Sequence, residues 1–549
     1  MDNVIRRLQM QLFGRFPALR PGRFGWGAAQ LSGASLLSRL IGFVYSATVM
    51  RLAGPEAVGL FRMVWPLYAT AFTVAAAGIP YAISKLLAES TAAGAAGEAG
   101  KEAGRPRSPR SIALQGLGLL LVNSVVTAVT LWFAAPWLVA TLGSEPRAVP
   151  ILQLLAPSLV AAALSAGAKA LFEGIRRMAV PAASLITEQI VLSAVAVGLT
   201  LQLARWASSP ETAASALAFA SVLGEVAGLV VMVVAVDRLW KTWDAARAQE
   251  APGGRGRASW WPSAILSLSL PVAGGRILSS VGASLTTLLL PNRLHAAGLT
   301  PSQAAAEIGL LRGVALPLVL TPNMLSLALM TTLVPSISRA LARGDRDSAR
   351  AYSDKALATT VLLSLPATAA LVGLPELWTR TLYGEPAAAP LLVVSALGAP
   401  FAYLGQTLVG VLRGLGRPDI PVRGHILGMA VEAALIWKWV GQPALGIRGA
   451  ALASVVGYAV AYSINQVAAM RHLGTELRGR AFLGPLVAAV LGAVAGRIGA
   501  AAVAAWLQEA GQLPAFVVDA VALATGLGVL GLFYGAALRS SPVWRWLAV

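Results

Sequence analysis

The chain has 549 residues, of which 57% are hydrophobic and 12% charged, with a mean hydropathy of +0.70. No soluble domain of this length is so apolar, and the excess falls in repeated runs of about 18 or more residues, so the chain reads as an all-α polytopic membrane protein. A formal charge of +19 would suggest nucleic-acid binding in a soluble chain; here it is read as basic loops on one side of a bilayer, and the lack of cysteine excludes disulfides and thiolate metal sites.

Residues 1–27 hold Arg6, Arg7, Arg15, Arg20 and Arg23, with Val4, Ile5, Leu8, Leu12 and Phe16 at helical spacing. They predict a basic cytoplasmic segment lying in the membrane interface. The apolar run that follows is too long for a signal-peptide core and contains Arg39. Fourteen spans are expected: 28–51, 58–88, 111–136, 148–171, 179–203, 212–236, 263–290, 307–335, 355–375, 388–412, 421–440, 446–469, 482–506 and 514–538. Thirty Lys and Arg residues then fall on the side of the termini, seven on the other side and six within spans. That bias places both termini in the cytoplasm of a bacterial plasma-membrane protein.

The first two spans are joined by a turn at Ala53-Gly54-Pro55. Residues 90–110 are an Ala/Gly-rich connector with basic, Pro-rich ends. Residues 241–262 form a cytoplasmic linker ending in Trp260 and Trp261, where an interfacial aromatic belt is expected. The chain therefore divides into an N-lobe of six helices (28–240), a C-lobe of six (263–470), a final helix pair (482–538) and a cytoplasmic tail (539–549).

The halves repeat one another. Gly59-Leu60-Phe61-Arg62 is answered by Gly309-Leu310-Leu311-Arg312, and Ser38-Arg39-Leu40-Ile41 by Gly275-Arg276-Ile277-Leu278. The short basic turns 171–181 and 410–421 occupy the same place in each half. Such repeats are how many transporters build a site between two lobes, here two pseudo-symmetric ones. An arginine near the bilayer centre costs about 2.5–3.5 kcal/mol or more, so Arg39, Arg62, Arg276 and Arg312 are expected to face an anion or a wet cavity. The bland reading of each is a structural ion pair or a side chain snorkelling to the interface. Arg62 and Arg312 lie nearer the outer face, where snorkelling is cheaper, and Lys169 and Arg497 are expected to reach the interfaces.

No phosphate-binding loop of the G-x-x-x-x-G-K-[ST] type is present. The drive is expected to be a Na⁺ or H⁺ gradient, the membrane potential or consumption of product. Glu188 and Glu432 are the candidate coupling acids, ahead of Glu225 and Asp519, with partnership to a buried cation as the bland alternative. No cofactor is called for, and the three histidines form no ligand motif.

The runs SLLSRLIGFVYSATVMRLAGPEAVGLFRMVWPLY, AGIPYAISKLLAE, LFEGIRRMAVPAASLITEQIV and GVLRGLGRPDIPV resemble the stage V sporulation protein B type of polysaccharide transporter. That type belongs to the superfamily that also holds lipid II flippases and multidrug and toxin extruders. The resemblance implies two six-helix lobes around a central cavity, an alternating-access cycle, and an undecaprenyl-diphosphate-linked saccharide as substrate, with the last two helices forming a groove for the lipid tail; the protein is expected to work as a monomer. Ser38-Arg39 and Gly42-Phe43 match the phrase that supplies a cavity arginine in lipid II flippases. Those flippases usually continue with Arg-Asp, where this chain has Tyr45-Ser46, so another polyprenyl-linked sugar is equally accommodated. Two alternatives remain: a multidrug extruder, which should line its cavity with acids, and a polyprenyl-dependent membrane glycosyltransferase, which should carry carboxylates in a sizeable loop.

Overall fold

The computed structural model describes residues 23–95, 109–141, 145–205, 209–248, 263–475, 482–509 and 513–540. The expected interfacial helix before residue 23, the middle of the 90–110 connector, the linker from 249 with Trp260 and Trp261, and the tail after 540 lie outside them. Among the described residues thirteen helices are long and apolar enough to cross a membrane, or fourteen with the bent pair Pro386–Ala396 and Ala399–Gly414. Helices dominate because a backbone in hydrocarbon must satisfy its own hydrogen bonds.

The first half contains α1 (Arg23–Ala76), α2 (Ile79–Ala95), α3 (Pro109–Thr141), α4 (Ala148–Leu155), α5 (Ser158–Gly174), α6 (Ala179–Arg205) and α7 (Pro210–Ala248). Within α1 the backbone breaks at Gly54 (φ 76°, ψ 169°), so its two arms form the expected hairpin. The positive φ suits glycine, and Pro55 then starts the second arm, where its missing N–H costs nothing. The second half contains α8 (Ser263–Ala296), α9 (Pro301–Gly309), a π-helical turn Leu310–Ala315, α10 (Leu316–Leu320), α11 (Asn323–Ala342) and α12 (Arg346–Gly373). After these come α13 (Pro375–Trp378), a second π-helical turn Thr379–Tyr383, α14 (Ala389–Ala396), α15 (Ala399–Gly414), α16 (Asp419–Trp439) and α17 (Ile447–Leu473). The final pair is α18 (Leu483–Glu509) and α19 (Ala515–Ser540). Taking the α1 arms separately and α9 to α11 as one interrupted span gives the fourteen spans read from the sequence.

The repeat is visible in the contacts. At Gly59 an added Cβ would lie 1.8 Å from the Ala305 carbonyl oxygen, and at Gly309 one would lie 1.9 Å from that of Pro55. Gly59 to Gly309 and Pro55 to Ala305 are the same step along the chain, so the contact is reciprocal, as a two-fold axis between the second α1 arm and α9 requires. Further round, Gly224 on α7 packs on Leu192 and Glu188 of α6, while Gly457 on α17 packs on Glu432 and Gly428 of α16. Glu432 thus occupies the place of Leu192, and the acid is displaced by one helical turn between the halves. Both halves also interrupt the fourth helix, at Ala156-Pro157 and at Leu397-Gly398, the latter with a bend of 52°.

The largest buried cluster joins the halves near the Gly54 end, with Met50, Leu60 and Ile151 against Ile308, Leu311 and Tyr383. At the opposite end the cores are separate. One holds Ile83, Leu87 and Leu171 of the first half; the other holds Ile337, Leu357 and Leu412 of the second. The protein is therefore closed at the Gly54 end and divided at the other. The helix α8 bridges the division: Thr70 hydrogen-bonds Ser280 (2.8 Å) and Ser284 (2.7 Å), and Ile265 joins the first-half core. The pair α18–α19 closes on itself at Gly496 and Gly526 and packs on α12 at Gly373.

Candidate functional site

Arg62 sits two turns into the second α1 arm, and Arg312 on the π-helical turn that replaces the corresponding stretch of the second half. Both lie three residues beyond the reciprocal glycines, so the axis that relates Gly59 to Gly309 brings the two arginines together. Both are half-buried, and each lies within electrostatic range of the other. Neither snorkels. The Nε of each is buried without a hydrogen-bond partner, and among the described residues no carboxylate comes within ion-pair distance of either. Tyr45 and Tyr383 lie beside Arg62, and Tyr458 and Glu432 beside Arg312. Neither guanidinium is held in an ion pair, although Glu432 lies near Arg312, so their planar donor forks stay open to an anion.

A cavity of about 290 Å³ opens beside Arg62, lined also by Gly42, Tyr45, Trp65, Glu188 and Glu225. Phe61, Trp65 and Tyr68 form an aromatic run along the arm, with ring centroids 5.6 and 5.4 Å apart. The Lys169 ammonium on α5 pairs with Glu188 on α6 at 2.9 Å. In the second half Ser454 donates to Glu432 at 2.7 Å.

A family profile described as "Polysaccharide biosynthesis protein" matches residues 25–341, more than half of the chain. The chain belongs to that family. A MatE profile matches residues 312–438. The protein is 28% identical to Stage V sporulation protein B of Bacillus subtilis (strain 168) over 432 residues, 78% of this chain and 80% of the relative. It is 21% identical to the lipid II flippase MurJ of the same organism over 538 residues, 93% and 94% of the two chains. Among solved structures, "Lipid II flippase MurJ, inward closed conformation" superposes with a TM-score of 0.62 at 14% identity, covering 93% of this chain and 99% of that one. An inward-facing multidrug resistance transporter of the MATE family gives 0.58 at 17% identity, over 80% and 94%. At these identities the two structures speak for the fold alone.

Of the four arginines expected in the site of this polysaccharide biosynthesis family member, the fold brings Arg62 and Arg312 together. Arg39 and Arg276 are exposed on α1 and α8, with no ion pair or hydrogen bond among the described residues. Arg39 lies one turn from the cavity residue Gly42. Lys169 does not reach an interface as expected. Its stem is held between helices because Glu188 lies across the α5–α6 contact and offers a counter-charge inside the membrane. Asp519 on α19 pairs with Arg380 of the second π-helical turn at 2.5 Å and does not line the cavity beside Arg62. Arg497 is exposed midway along α18. Sequence reading missed the aromatic run, although Phe61, Trp65 and Tyr68 stand at helical spacing. It also missed the repeated phrase Thr-Leu-x-x-Glu-Pro-x-Ala-x-Pro at 141–150 and 381–390.

At the Gly54 end of the first half, Arg147 gathers three carboxylates: Glu56 and Glu145 at 2.9 Å and Glu211 at 2.6 Å. The hydrogen bonds from Ser209 and Arg147 hold the Glu211 carboxyl down at about 2, and the Glu211 bond in turn raises Arg147. This rim ties the ends of the second α1 arm, α4 and α7 into one unit.

Proposed function

We propose that this protein flips a polyprenyl-diphosphate-linked saccharide across the bacterial cytoplasmic membrane by alternating access, without catalysing a reaction. One observation carries the reading: Arg62 and Arg312, one from each half, stand within electrostatic range of each other beside the two-fold axis, each with a buried Nε that has no hydrogen-bond partner. A diphosphate is itself two phosphates related through a bridging oxygen, so a two-fold pair of planar forks can take one phosphate each. In a low-dielectric cavity that charge is poorly screened. The aromatic run beside Arg62 offers faces against which sugar rings can pack. With the basic loops on the cytoplasmic side, the closed Gly54 end is external, and the divided end admits substrate from the cytoplasm.

The names of the relatives agree with this reading, and the lack of a phosphate-binding loop leaves a Na⁺ or H⁺ gradient, the membrane potential or consumption of product as the proposed drive. Glu188 and Glu432 remain the proposed coupling acids, each engaged by a neighbour, Lys169 and Ser454, that would have to yield to an ion. Membrane lipids and the lipid-linked substrate are the proposed partners of a monomeric transporter.

The test is translocation of undecaprenyl-diphosphate saccharides in sealed vesicles without nucleotide. Arg62→Ala and Arg312→Ala should insert at normal levels, because removing an unpaired charge relieves desolvation, while translocation falls at least tenfold. Normal translocation in both variants would remove the arginines from the mechanism. One observation favours a second reading, extrusion of cationic molecules: Glu188 and Glu225 line the same cavity. Lys169 neutralises one of those acids. Uptake of a cationic dye that competes with no lipid-linked saccharide would favour that reading.

A further inference from the structure

We propose that Arg51 is the latch that holds the two halves shut at the Gly54 end, and that it must release for that end to open. Arg51 stands on the last turn of the first α1 arm. Its Nε donates to the Leu382 carbonyl at 3.0 Å, and one Nη donates to the carbonyls of Arg380 (3.1 Å) and Thr381. These belong to the π-helical turn Thr379–Tyr383 in the second half, a helix end whose carbonyls attract a cation; the Arg380 carbonyl also accepts from the Gly384 N–H at 3.0 Å. Gly384 ends that turn at φ 75°, and a Cβ there would lie 3.3 Å from Arg51 Cγ. Glycine thus supplies both the conformation and the room for the incoming side chain.

The receiving turn is braced. The Arg51 guanidinium lies over the Phe516 ring of α19 at 5.2 Å. One turn further along α19, Asp519 holds Arg380. Two turns back along the arm, Phe43 meets the edge of Tyr383, with centroids 6.0 Å apart and planes at 88°. A single side chain of the first half therefore joins the second half and the C-terminal pair.

The chemistry suits reversible closure. Arg51 is exposed, and its partners are neutral carbonyls at the rim rather than a buried carboxylate. On parting, water can take over both sides without stranding a charge, so the net cost of release is small. A planar fork is needed to reach three successive carbonyls, which a lysine ammonium cannot do. No two-fold counterpart of the latch is made among the described residues. Arg293, near the corresponding end of α8, turns within its own half, over Trp437 at 4.5 Å and against Gly441.

As a contact between halves the latch stands on geometry; as a step in transport it rests on the function proposed above. The chain has no cysteine, so spin labels can be placed at Ala140→Cys, at the end of α3, and Ala444→Cys, between α16 and α17, both exposed. Pulsed electron–electron resonance distances would be measured in nanodiscs without substrate. The unmodified latch should give mainly the short distance. Arg51→Ala should raise the longer-distance population at least tenfold, with Arg51→Lys between the two. An Arg51→Ala distribution that matches the parent overturns the latch. Should Arg51→Ala fail to fold, Arg51→Gln keeps the stem, and its distribution decides in the same way. Because no substrate is present, failure to move lipid-linked saccharides would sink the proposed function and leave this result standing.

Discussion

Replacing Gly59 by alanine tests whether the reciprocal crossing closes the molecule. The new Cβ would lie 1.8 Å from the Ala305 oxygen. That oxygen belongs to a helix backbone and cannot rotate aside, so the helices must part locally by about 1.6 Å to restore the 3.4 Å at which ordinary contact begins. Alanine favours the helix over glycine by about 0.8–1 kcal/mol. Overpacking a close contact costs about 1–3 kcal/mol. The second effect should win by up to about 2 kcal/mol, because partial relief means losing contacts around Met50, Val58 and Gly313, which pack beside the crossing. Gly309→Ala should behave alike, since its Cβ would lie 1.9 Å from the Pro55 oxygen. The double variant should cost less than the two single costs added, because both Cβ atoms occupy the same widened gap. Gly198→Ala, in α6 with nothing within 4 Å, is the control and should show only the helical gain. Thermal unfolding in detergent compares all four. If Gly59→Ala melts at or above the parent, as Gly198→Ala should, the glycine crossing does not close this end.

Lys169→Met should destabilise the first half by about 3 kcal/mol or less, since 20% of Lys169 and 22% of Glu188 remain exposed. Adding Glu188→Gln should restore most of the loss, and a melting series of the single and double variants reads both. At the Gly54 rim, the Glu211 carboxyl is held at about 2, below its ordinary 4.5. Its stabilising contribution is therefore complete above about pH 4.5 and disappears as pH falls towards 2. Glu211→Gln should flatten the melting temperature over that window; an unchanged slope would show that the Arg147 cluster does not depend on this carboxylate.

The spans and the hairpin at Gly54 were legible because lipid forces each helix to satisfy itself, so composition along the chain reports them directly. The Gly59–Arg62 and Gly309–Arg312 phrases gave the correct register for the same reason: a close backbone crossing needs glycine in both repeats. What could not be read was rotation about each helix axis. Arg39 and Arg312 look alike in sequence, but only Arg312 turns towards its counterpart. It does so on a π-helical turn, Leu310–Ala315, that no local residue pattern announces. The Lys169–Glu188 pair depends on the α5–α6 contact in the same way. The bridging of α8 into the first-half core was hidden too, since Ile265 reads as an ordinary apolar residue of the second half. The repeated Thr-Leu-x-x-Glu-Pro phrase was readable but lies between spans, where hydropathy gives no reason to look.

Where the halves agree and where they differ bears on the proposed cycle. The elements on the axis are matched: Gly59 with Gly309, Arg62 with Arg312. A matched pair can grip a two-phosphate group and still let each half rock about the glycine crossing. The elements off the axis are not matched. Glu188 faces a lysine, whereas the second-half acid sits one turn away beside a serine and Arg312. Arg51 reaches across to the other half, whereas Arg293 stays within its own. A lipid-linked saccharide has a sugar at one end of its diphosphate and a polyprenyl tail at the other, so a fully symmetric cavity would offer it two equivalent and opposed orientations. The unmatched acids and the one-sided latch remove that equivalence without disturbing the arginine pair. On this reasoning, exchanging Leu192 and Glu432 for each other's residue should disturb translocation more than it disturbs folding, because it alters the asymmetry and leaves the axis intact.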